Sequence, residues 1–237
     1  EAIVDENTAA VIVEPIQGEG GINIPAPDYL PGVREICNRH GALLIIDEVQ
    51  TGLGRTGKMF ACEHYGVAPD IMTLAKGLGG GILPIGAFMS TAEIWKVFEE
   101  NPLLHSSTLG GNPLACAVGL ETLKILQEEN IPLQAQEKGA YFMGKLREFQ
   151  SAFPELIKEI RGMGLLIGME FFDADVASLL AMEMAERMVL VAYTLNNPRV
   201  VRFEPPLTIS FEEMDQVVGA MEESLRGVKK IVEEVSE

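Results

Sequence analysis

The chain has 237 residues, 47% of them hydrophobic and 22% charged, which is ordinary for a globular protein of one large domain or two smaller ones. Its 18 Lys and Arg residues against 35 Asp and Glu residues give a formal net charge of −17 at pH 7. A surface this acidic repels nucleic acid and anionic lipid, so the composition excludes nucleic-acid and membrane-surface binding as expected functions.

The cysteines and the first residue give further expectations. Cys37, Cys62 and Cys116 are odd in number and lack the spacing of a redox or zinc motif, and the three histidines are scattered. We therefore expect free, mostly buried thiols in a cytoplasmic protein, and no metal site. No apolar run approaches the roughly 20 residues of a membrane helix, and no signal peptide opens the chain. It begins with Glu1 rather than Met, which we interpret as a start inside a longer protein.

Three short apolar runs in the first third of the chain each end at an ionisable residue. They are "AAVIV" before Glu14, "ALLII" before Asp47 and "DIMTLA" before Lys76. Runs this apolar predict strands that are buried on both faces, as in a parallel sheet. Because ligands of open α/β sheets bind beyond the carboxyl ends of the strands, we expect the three ionisable residues to converge on one rim.

The intervening segments complete an α/β pattern. Apolar residues at helical spacing predict a helix that starts at Asp28 as N-cap and stops at Gly41. The segment "PIGAFMS" predicts a fourth strand. A further helix is predicted after a polar Gly-rich loop, with Asn112 as N-cap and Pro113 at the first helical position.

Beyond residue 130 the pattern changes to shorter alternations. Strands are predicted for "LLIGMEFF" (165–172) and "MVLVAY" (188–193), and helices for residues 175–188 and 211–235. We therefore expect two domains: residues 1–130 would form the larger α/β domain, and residues 131–237 a smaller α+β domain.

Residues 52–58, "GLGRTGK", match the Gly-x-x-x-x-Gly-Lys pattern of a phosphate-binding loop. Five residues separate this stretch from the preceding strand, however, and Met59 stands where the magnesium-binding Ser or Thr belongs. A nucleotide-binding module is therefore the weaker hypothesis, and a Gly-rich loop beside an active site is the stronger one.

Asp47 and Lys76 together suit one kind of covalent chemistry. A deprotonated lysine amine attacks a carbonyl, and a neighbouring carboxylate can pair with a protonated pyridine nitrogen. This is the combination that pyridoxal phosphate requires of the proteins that bind it. Taken singly, Lys76 could be a surface lysine and Asp47 a turn cap; their equivalent positions on two strands favour the functional interpretation.

Five segments of the chain resemble class III aminotransferases. They are "VEPIQGEGG" (13–21), "LIIDEVQTGLGRTGKMFACEH" (44–64), "DIMTLAKGLGGGILPIGAFM" (70–89), "HSSTLGGNPLACA" (105–117) and "VVRFEPPLT" (200–208). They occur in the family's order and extend over nearly the whole chain. The resemblance implies pyridoxal 5'-phosphate as cofactor and fold type I, here the second half of the mostly parallel large-domain sheet with a small C-terminal domain.

The resemblance also assigns five residues to the cofactor. Lys76 would bind it covalently and transfer the proton between substrate and cofactor, while Asp47 would keep the pyridine nitrogen protonated. Val49 would pack on the ring and Gln50 would hydrogen-bond near its phenolic oxygen. Thr108 would bind the cofactor phosphate of the partner subunit; taken alone, it could equally be a loop threonine that bonds its own backbone.

Three further residues are assigned to substrates by the same resemblance. Arg202 would bind the carboxylate of glutamate or 2-oxoglutarate, although a salt bridge with Glu204 is the simpler alternative. Glu19 would pair with Arg202 while the amine donor is bound and release it for the oxo acid. Glu14 would shape the substrate side; for both glutamates the alternative is a loop or helix-terminus carboxylate.

The implied reaction transfers a terminal amino group to 2-oxoglutarate in a homodimer with shared active sites. Putrescine or a related diamine is the expected donor, because "KMFACEH", "NPLACA" and "TLNN" are most similar to the putrescine-specific members. Ornithine, acetylornithine and 4-aminobutyrate remain alternative donors. Family members also carry a long stretch before "AAVIVEP", so an inactive fragment or assembly subunit is a further alternative.

Overall fold

A computed structural model describes residues 3–236 of the chain; the outer limits of the two predicted domains, residues 1 and 237, lie outside this range. The described residues form two compact units. The first contains the residues up to Pro15 together with Pro25–Gly54 and Lys58–Pro132, and the second contains Ile16–Ile24, Arg55–Gly57 and the residues from Leu133 onward. The predicted division at residue 130 stays a prediction, because two short earlier segments group with the later residues.

The first unit is built on a four-stranded sheet. Its elements are β1 (Ala10–Val13), α1 (Tyr29–His40), β2 (Leu43–Asp47), β3 (Ile71–Leu74), β4 (Ala87–Ser90), α2 (Ala92–Glu100) and α3 (Pro113–Glu128). The strands lie in the order β1-β2-β3-β4; the first three are parallel and β4 is antiparallel to β3. All four predicted strands are thus present, whereas α2 was not predicted.

The expectation that these strands are buried on both faces is wrong for the described residues. Leu44 and Ile46 in β2, like Met72 and Leu74 in β3, are buried, but the residues between them are only partly buried. In β1, Ile12 is 62% exposed. The strands therefore alternate between a buried and a more open face, which an apolar run cannot reveal because both faces carry apolar residues.

The helix ends follow local capping chemistry at two of three predicted positions. Gly41 ends α1 in the left-handed conformation with φ 70°, as a C-terminal glycine does. The Asn112 side chain accepts hydrogen bonds from two backbone N–H groups in the first turn of α3, which begins at Pro113. Asp28 precedes α1, but its side chain forms no capping hydrogen bond.

The second unit contains an antiparallel sheet and three long helices. Its elements are α4 (Ile131–Ala152, which begins at the end of the first unit), β5 (Ile157–Met163), β6 (Leu166–Phe171), α5 (Ala174–Glu186), β7 (Ala192–Tyr193), β8 (Val200–Phe203) and α6 (Phe211–Ser236). The strand order is β5-β6-β8-β7. The predicted strand over residues 188–193 is largely wrong: only two residues pair with β8, and Met188 has a left-handed φ of 62°.

One large apolar core stabilises the second unit. It combines buried side chains from α4, β5, β6, α5, β8 and α6, and the rings of Phe142 and Phe203 meet edge to face at 5.7 Å within it. The alternate residues of β6 and β8 point away from this core. That opposite face of the sheet carries Gly168 and Arg202, which are directly paired across the two strands.

Two glycines of α4 provide a matched test of this packing. A Cβ atom on Gly139 would lie 2.1 Å from the carbonyl oxygen of Gly164, whereas a Cβ atom on Gly144 would meet nothing within 4 Å. We expect Gly139→Ala to lower the free energy of unfolding by about 1–3 kcal/mol, because backbone must shift. Gly144→Ala should raise it by about 0.5–1 kcal/mol through helix propensity. Urea unfolding followed by circular dichroism measures both, and equal effects would contradict the packing argument.

Candidate active site

Three ionisable residues lie at one edge of the first unit's sheet. Glu14 directly follows β1, Asp47 ends β2, and Lys76 is the second residue after β3. Because these three strands are adjacent and parallel, their carboxyl ends share an edge. Lys76 is exposed, whereas Asp47 and Glu14 are partly buried. The topology therefore brings together an accessible amine and two carboxylates.

The backbone at Lys76 adopts a conformation that lysine rarely takes. Its φ is 46°, in the left-handed region, and it opens a 3-10 turn over Lys76–Gly79. Such a conformation costs on the order of 1–3 kcal/mol and persists only where the surroundings impose it. Leu53, itself at φ 59°, lies close to the next residue along the chain, 3.6 Å from the position of a Cβ on Gly77. The residue that carries the amine is thus one of five described non-glycine residues in this conformation.

A cavity opens beside this lysine. It has a volume of about 650 Å³ and is lined by Ala75, Lys76 and residues 81–86, within the glycine-rich stretch after β3. The lining is mainly backbone and aliphatic side chains, so Lys76 is its one ionisable member. A small molecule in this cavity would have direct access to the amine.

Asp47 is oriented by its own loop. Its Oδ1 accepts a hydrogen bond from the backbone N–H of Val49 at 2.9 Å. Val49 and Gln50 follow it and are partly buried. Thr73 is the register partner of Asp47 on β3, and its hydroxyl is buried without a hydrogen-bond partner among the described residues. A buried polar atom of this kind usually marks a place where a ligand or water completes the bonding.

A buried carboxylate that the sequence analysis missed holds the following loop. Glu48 is 1% exposed and accepts hydrogen bonds from the Thr51 hydroxyl at 2.5 Å and from the N–H groups of Ala61 and Cys62 at 3.0 and 2.8 Å. Burial, assisted by the Glu48 carboxylate, raises the pKa of Cys62 to about 12. The sequence contains a signal for this residue. Because side chains alternate along a strand, Glu48 faces the side of the sheet opposite to Asp47, and a charge that is buried there needs dedicated hydrogen-bond partners.

The structure accounts for both cations of the "GLGRTGK" stretch. In the second unit, Arg55 donates hydrogen bonds to the carbonyl oxygens of Leu165 at 3.1 Å and Pro205 at 2.6 Å, and burial lowers the pKa of its guanidinium. In the first unit, Lys58 donates to the carbonyl oxygen of Glu63 at 3.1 Å. Both cations therefore bind backbone carbonyls.

The stretch also lacks the secondary structure of a phosphate-binding loop. Such a loop opens directly into a helix, whose N-terminus binds the phosphate. Here the next regular element is a 3-10 turn of five residues, Ala61–Tyr65. The geometry argues against nucleotide binding at this stretch.

In the second unit, Arg202 and Glu19 form an ion pair. Nη1 of Arg202 lies 2.6 Å from Oε1 of Glu19, and its Nε lies 3.5 Å from a carboxylate oxygen of Glu204. The other carboxylate oxygen of Glu19 accepts a hydrogen bond from the N–H of Leu195 at 2.9 Å. The side chains of Arg202 and Glu19 are 17% and 30% exposed, so the pair is accessible to small ions. Both acidic neighbours named from the sequence thus contact the arginine.

Thr108 is not brought to the strand ends by any bond that the structure describes. It is exposed in the loop before α3, and no hydrogen bond among residues 3–236 joins it to Asp47 or Lys76.

Over the same residues, no group of three or more His, Cys, Asp or Glu side chains is arranged to hold a metal ion. No helix in that range is long and apolar enough to cross a membrane.

Comparison with known proteins assigns the chain to a family. The sequence profile of the class-III aminotransferases matches residues 1–225. The chain belongs to the class-III aminotransferase family. This membership confirms the predicted fold class, fold type I of the pyridoxal-phosphate-dependent transferases, with its mixed, mostly parallel sheet and flanking helices.

Solved structures of similar proteins agree with this assignment. An ornithine aminotransferase from Toxoplasma gondii is 43% identical with a TM-score of 0.89, and the match covers 95% of this chain and 53% of that one. Its structure is described as showing partial occupancy of PLP at the active site. Ornithine delta-aminotransferase from Plasmodium falciparum is 36% identical with a TM-score of 0.85, and coverage is 94% and 57%.

A bacterial relative extends the comparison. Acetylornithine aminotransferase from Elizabethkingia anophelis is 38% identical with a TM-score of 0.84, and the match covers 92% of this chain and 56% of that one. In all three comparisons the chain spans little more than half the length of the solved relative.

The role of Glu48 leads to a stability prediction. Glu48→Gln replaces one accepting oxygen by an NH₂ group, which leaves a donor in the 51–62 loop without an acceptor. We expect the free energy of unfolding to fall by about 1–3 kcal/mol, as for other buried groups that lose a partner. Glu35→Gln, at an exposed glutamate paired with Arg39, is the matched control and should change it by less than about 0.5 kcal/mol. Urea unfolding measures both; a control-sized effect at Glu48 would contradict the assignment.

Proposed function

We propose that this chain supplies the cofactor-binding lysine and the carboxylate-binding arginine of an aminotransferase. The reaction moves a terminal amino group from a diamine to 2-oxoglutarate and yields glutamate and an amino aldehyde. The observation that carries the proposal is the placement of Asp47 and Lys76 at neighbouring ends of β2 and β3 in a class-III family member. The cofactor is pyridoxal 5'-phosphate, which the Toxoplasma relative is described as binding.

The residues at the strand ends fit this cofactor. An exposed amine, a carboxylate and a buried hydroxyl without a described partner meet there, on Lys76, Asp47 and Thr73. When bound, the cofactor supplies an electron sink that makes the C–H bond beside the amine acidic. The cavity of about 650 Å³ beside Lys76 provides space for a small molecule.

Each residue has a separate task in this proposal. Nζ of Lys76 would hold the cofactor covalently, and the same amine would serve as the acid and base for the substrate proton. Asp47 would keep the pyridine nitrogen protonated. The backbone N–H of Val49 holds the Asp47 carboxylate in place by donating a hydrogen bond to it. The Val49 side chain would pack on the cofactor ring, and Gln50 would hydrogen-bond beside the phenolic oxygen of the ring. Thr108 binds the cofactor phosphate of the partner subunit, so the enzyme is a homodimer with shared sites.

Arg202 and Glu19 let one pocket accept two kinds of substrate. A substrate carboxylate that binds Nη1 of Arg202 must displace the Glu19 carboxylate, which lies 2.6 Å from that atom. A donor that presents an amine or an alkyl chain leaves the ion pair closed, so no unpaired charge remains. In both cases Nη1 of Arg202 keeps a carboxylate partner, which is Glu19 for the donor and the substrate carboxylate for the oxo acid. In the first unit, Glu14 at the end of β1 is the residue proposed to contact the amine donor at the strand ends.

Putrescine is the proposed amine donor, in a cytoplasmic enzyme. The supporting observation is the likeness of "KMFACEH", "NPLACA" and "TLNN" to putrescine-specific members. Ornithine and acetylornithine are the alternatives favoured by the solved relatives, and 4-aminobutyrate is a further one. Turnover rates with the four amines at equal concentration decide between them.

A second candidate is a subunit that keeps the fold without activity. The observation that favours it is the exposure of Lys76, a property that it shares with the surface lysines. In that case Lys76 would react with pyridoxal phosphate no more readily than the other surface lysines do.

Cofactor trapping separates the two candidates. The chain is incubated with stoichiometric pyridoxal phosphate and reduced with borohydride, which makes a link between the aldehyde carbon and a lysine permanent. We expect the label on the peptide that contains Lys76, because its amine is exposed beside the cavity. Lys76→Arg should lose this label, and Lys124→Arg, at an exposed lysine paired with Glu121, should keep it. A label spread over surface lysines would support the inactive subunit.

The role of Arg202 is tested by the kinetics of the active enzyme. Arg202→Ala should raise the KM for 2-oxoglutarate by about 100-fold, the effect of losing a charge-assisted hydrogen-bonded partner, and change the KM for the amine by less than about threefold. Arg226→Ala, at an exposed arginine paired with Glu222, is the control and should leave both KM values unchanged. Equal increases for both substrates would show that Arg202 does not distinguish them.

A further inference from the structure

The loop that carries Glu19 is seated on one face of the second unit's sheet. Ile22 is fully buried there with a left-handed φ of 54°, and it packs with Ile16 and Leu166 in a small apolar cluster. A Cβ atom on Gly168 would lie 3.0 Å from the Cβ of Ile22, so a larger residue in β6 would push the loop away. The side chain of Ile22 therefore lies directly against the sheet at Gly168.

Two arginines lie on either side of Gly168, and the three residues form a row across three neighbouring strands. Gly168 of β6 pairs with Arg161 of β5 on one side and with Arg202 of β8 on the other. Directly paired residues of antiparallel strands point to the same face, so both arginine side chains lie on the face that the loop covers. Arg202 binds Glu19, as described above.

Arg161 binds the backbone of the same loop. Its Nε and Nη2 donate to the carbonyl oxygen of Gly21 at 3.1 and 2.6 Å, and Nε also lies 3.1 Å from the carbonyl oxygen of Ile22. Its Nη1 donates to the carboxylates of Glu170 and Glu159 at 2.6 and 2.8 Å. The side chain is 12% exposed, so these bonds are shielded from water.

Glu170 fixes this arginine. Its side chain is 7% exposed, and it accepts a second charged hydrogen bond from Lys158 at 2.7 Å. Burial raises its pKa, but the hydrogen bonds from Lys158 and Arg161 outweigh this effect and leave the pKa of Glu170 below its usual value. The carboxylate is therefore ionised at neutral pH, and Arg161 is held between it and the loop carbonyls.

Glu19 lies two residues before Gly21 and is fixed by a different set of bonds. Its carboxylate lies between Arg202 and the N–H of Leu195, and its carbonyl oxygen accepts from the N–H of Asn196 at 3.0 Å. The loop is thus held at two points. One is the backbone at Gly21 and Ile22, bound by Arg161, and the other is Glu19 itself.

We propose that Arg161 is a positioning residue, which places Glu19 against Arg202 and thereby sets how strongly a substrate carboxylate must compete for Arg202. The proposal rests on the proposed role of Arg202 as the carboxylate-binding group. It names no new contact with substrate, because Arg161 acts through the backbone of the loop. Without Arg161 the loop loses the charged hydrogen bonds to the carbonyl oxygens of Gly21 and Ile22. Glu19 is then held less firmly against Arg202, so a substrate carboxylate displaces it more easily.

The first test observes the position of Glu19 without any ligand. Backbone amide hydrogen exchange is measured by NMR on the full chain and on its Arg161→Gln variant. The amides of Leu195 and Asn196 are direct reporters, because they donate to Glu19. We expect them to exchange about tenfold faster in the variant, together with residues 21–23, while the amides of β6 and β8 stay unchanged.

A matched variant controls for the loss of an arginine ion pair. Arg187→Gln removes an arginine that binds Glu183 and Glu223 elsewhere in the second unit, and it should leave both reporter amides unchanged. Faster exchange at residues 21–23 alone would overturn the proposal, since Arg161 would then hold the loop without placing Glu19. A uniform acceleration over the second unit would overturn it too, as a general loss of stability.

The second test uses glutarate, a dicarboxylate without a reactive carbonyl, in titration calorimetry. Arg161→Gln should tighten glutarate binding about threefold, because Glu19 competes less well for Arg202. Glu19→Gln should tighten binding at least as much, and adding Arg161→Gln to Glu19→Gln should give no further gain if Arg161 acts through Glu19. Additive effects would overturn the proposal. Arg202→Ala tests the proposed role of Arg202 separately from that of Arg161. If Arg202→Ala leaves glutarate binding unchanged, Arg202 does not bind the substrate carboxylate. Hydrogen exchange still decides whether Arg161 places Glu19.

Discussion

The parallel alignment of β1, β2 and β3 is the constraint on which the cofactor half of the candidate site depends. Parallel strands end at the same edge, so residues that are far apart in sequence become neighbours without any contact being specified between their side chains. Asp47 and Lys76 need this arrangement, since a carboxylate and an amine on antiparallel neighbours would lie at opposite edges. The antiparallel β4 comes only after Lys76, where it no longer affects the alignment.

Buried carboxylates then fix the loops that the strands cannot fix. Glu48 binds the loop after β2 through one hydroxyl and two N–H groups, and Glu170 holds Arg161 against the loop that carries Glu19. Both are charged side chains with almost no exposure. A charge in the interior is tolerated only with dedicated partners, and for that reason it specifies one loop conformation more strictly than apolar packing does. In a chain with net charge −17, these two carboxylates are structural elements, in contrast to the many on the surface.

The sequence predicts the four strands of the first unit and the convergence of the first three strand ends, because apolar runs with terminal ionisable residues are local signals, but it does not predict β5 or β8 of the second unit. It predicts the helix ends at Gly41 and Asn112 for the same reason. It does not predict the one-sided burial of β2 and β3, the short β7, or the row of Arg161, Gly168 and Arg202. That row depends on the register of three strands, which a single sequence leaves open. Likewise Glu48 and Arg161 look like ordinary charged residues until their distant backbone partners are known.

The two units divide the chemistry of the proposed reaction. The first carries the amine and the carboxylate that a pyridine cofactor requires, on residues whose backbone is strained at Lys76. The second carries an arginine whose charge is already compensated by Glu19. An arginine without an acidic partner would bind a dicarboxylate more tightly. It would, however, remain unpaired whenever a substrate without that carboxylate is bound. Under the proposed function, selectivity between two alternating substrates would depend on how well Glu19 is held, and the Glu170–Arg161 pair would control this through the loop.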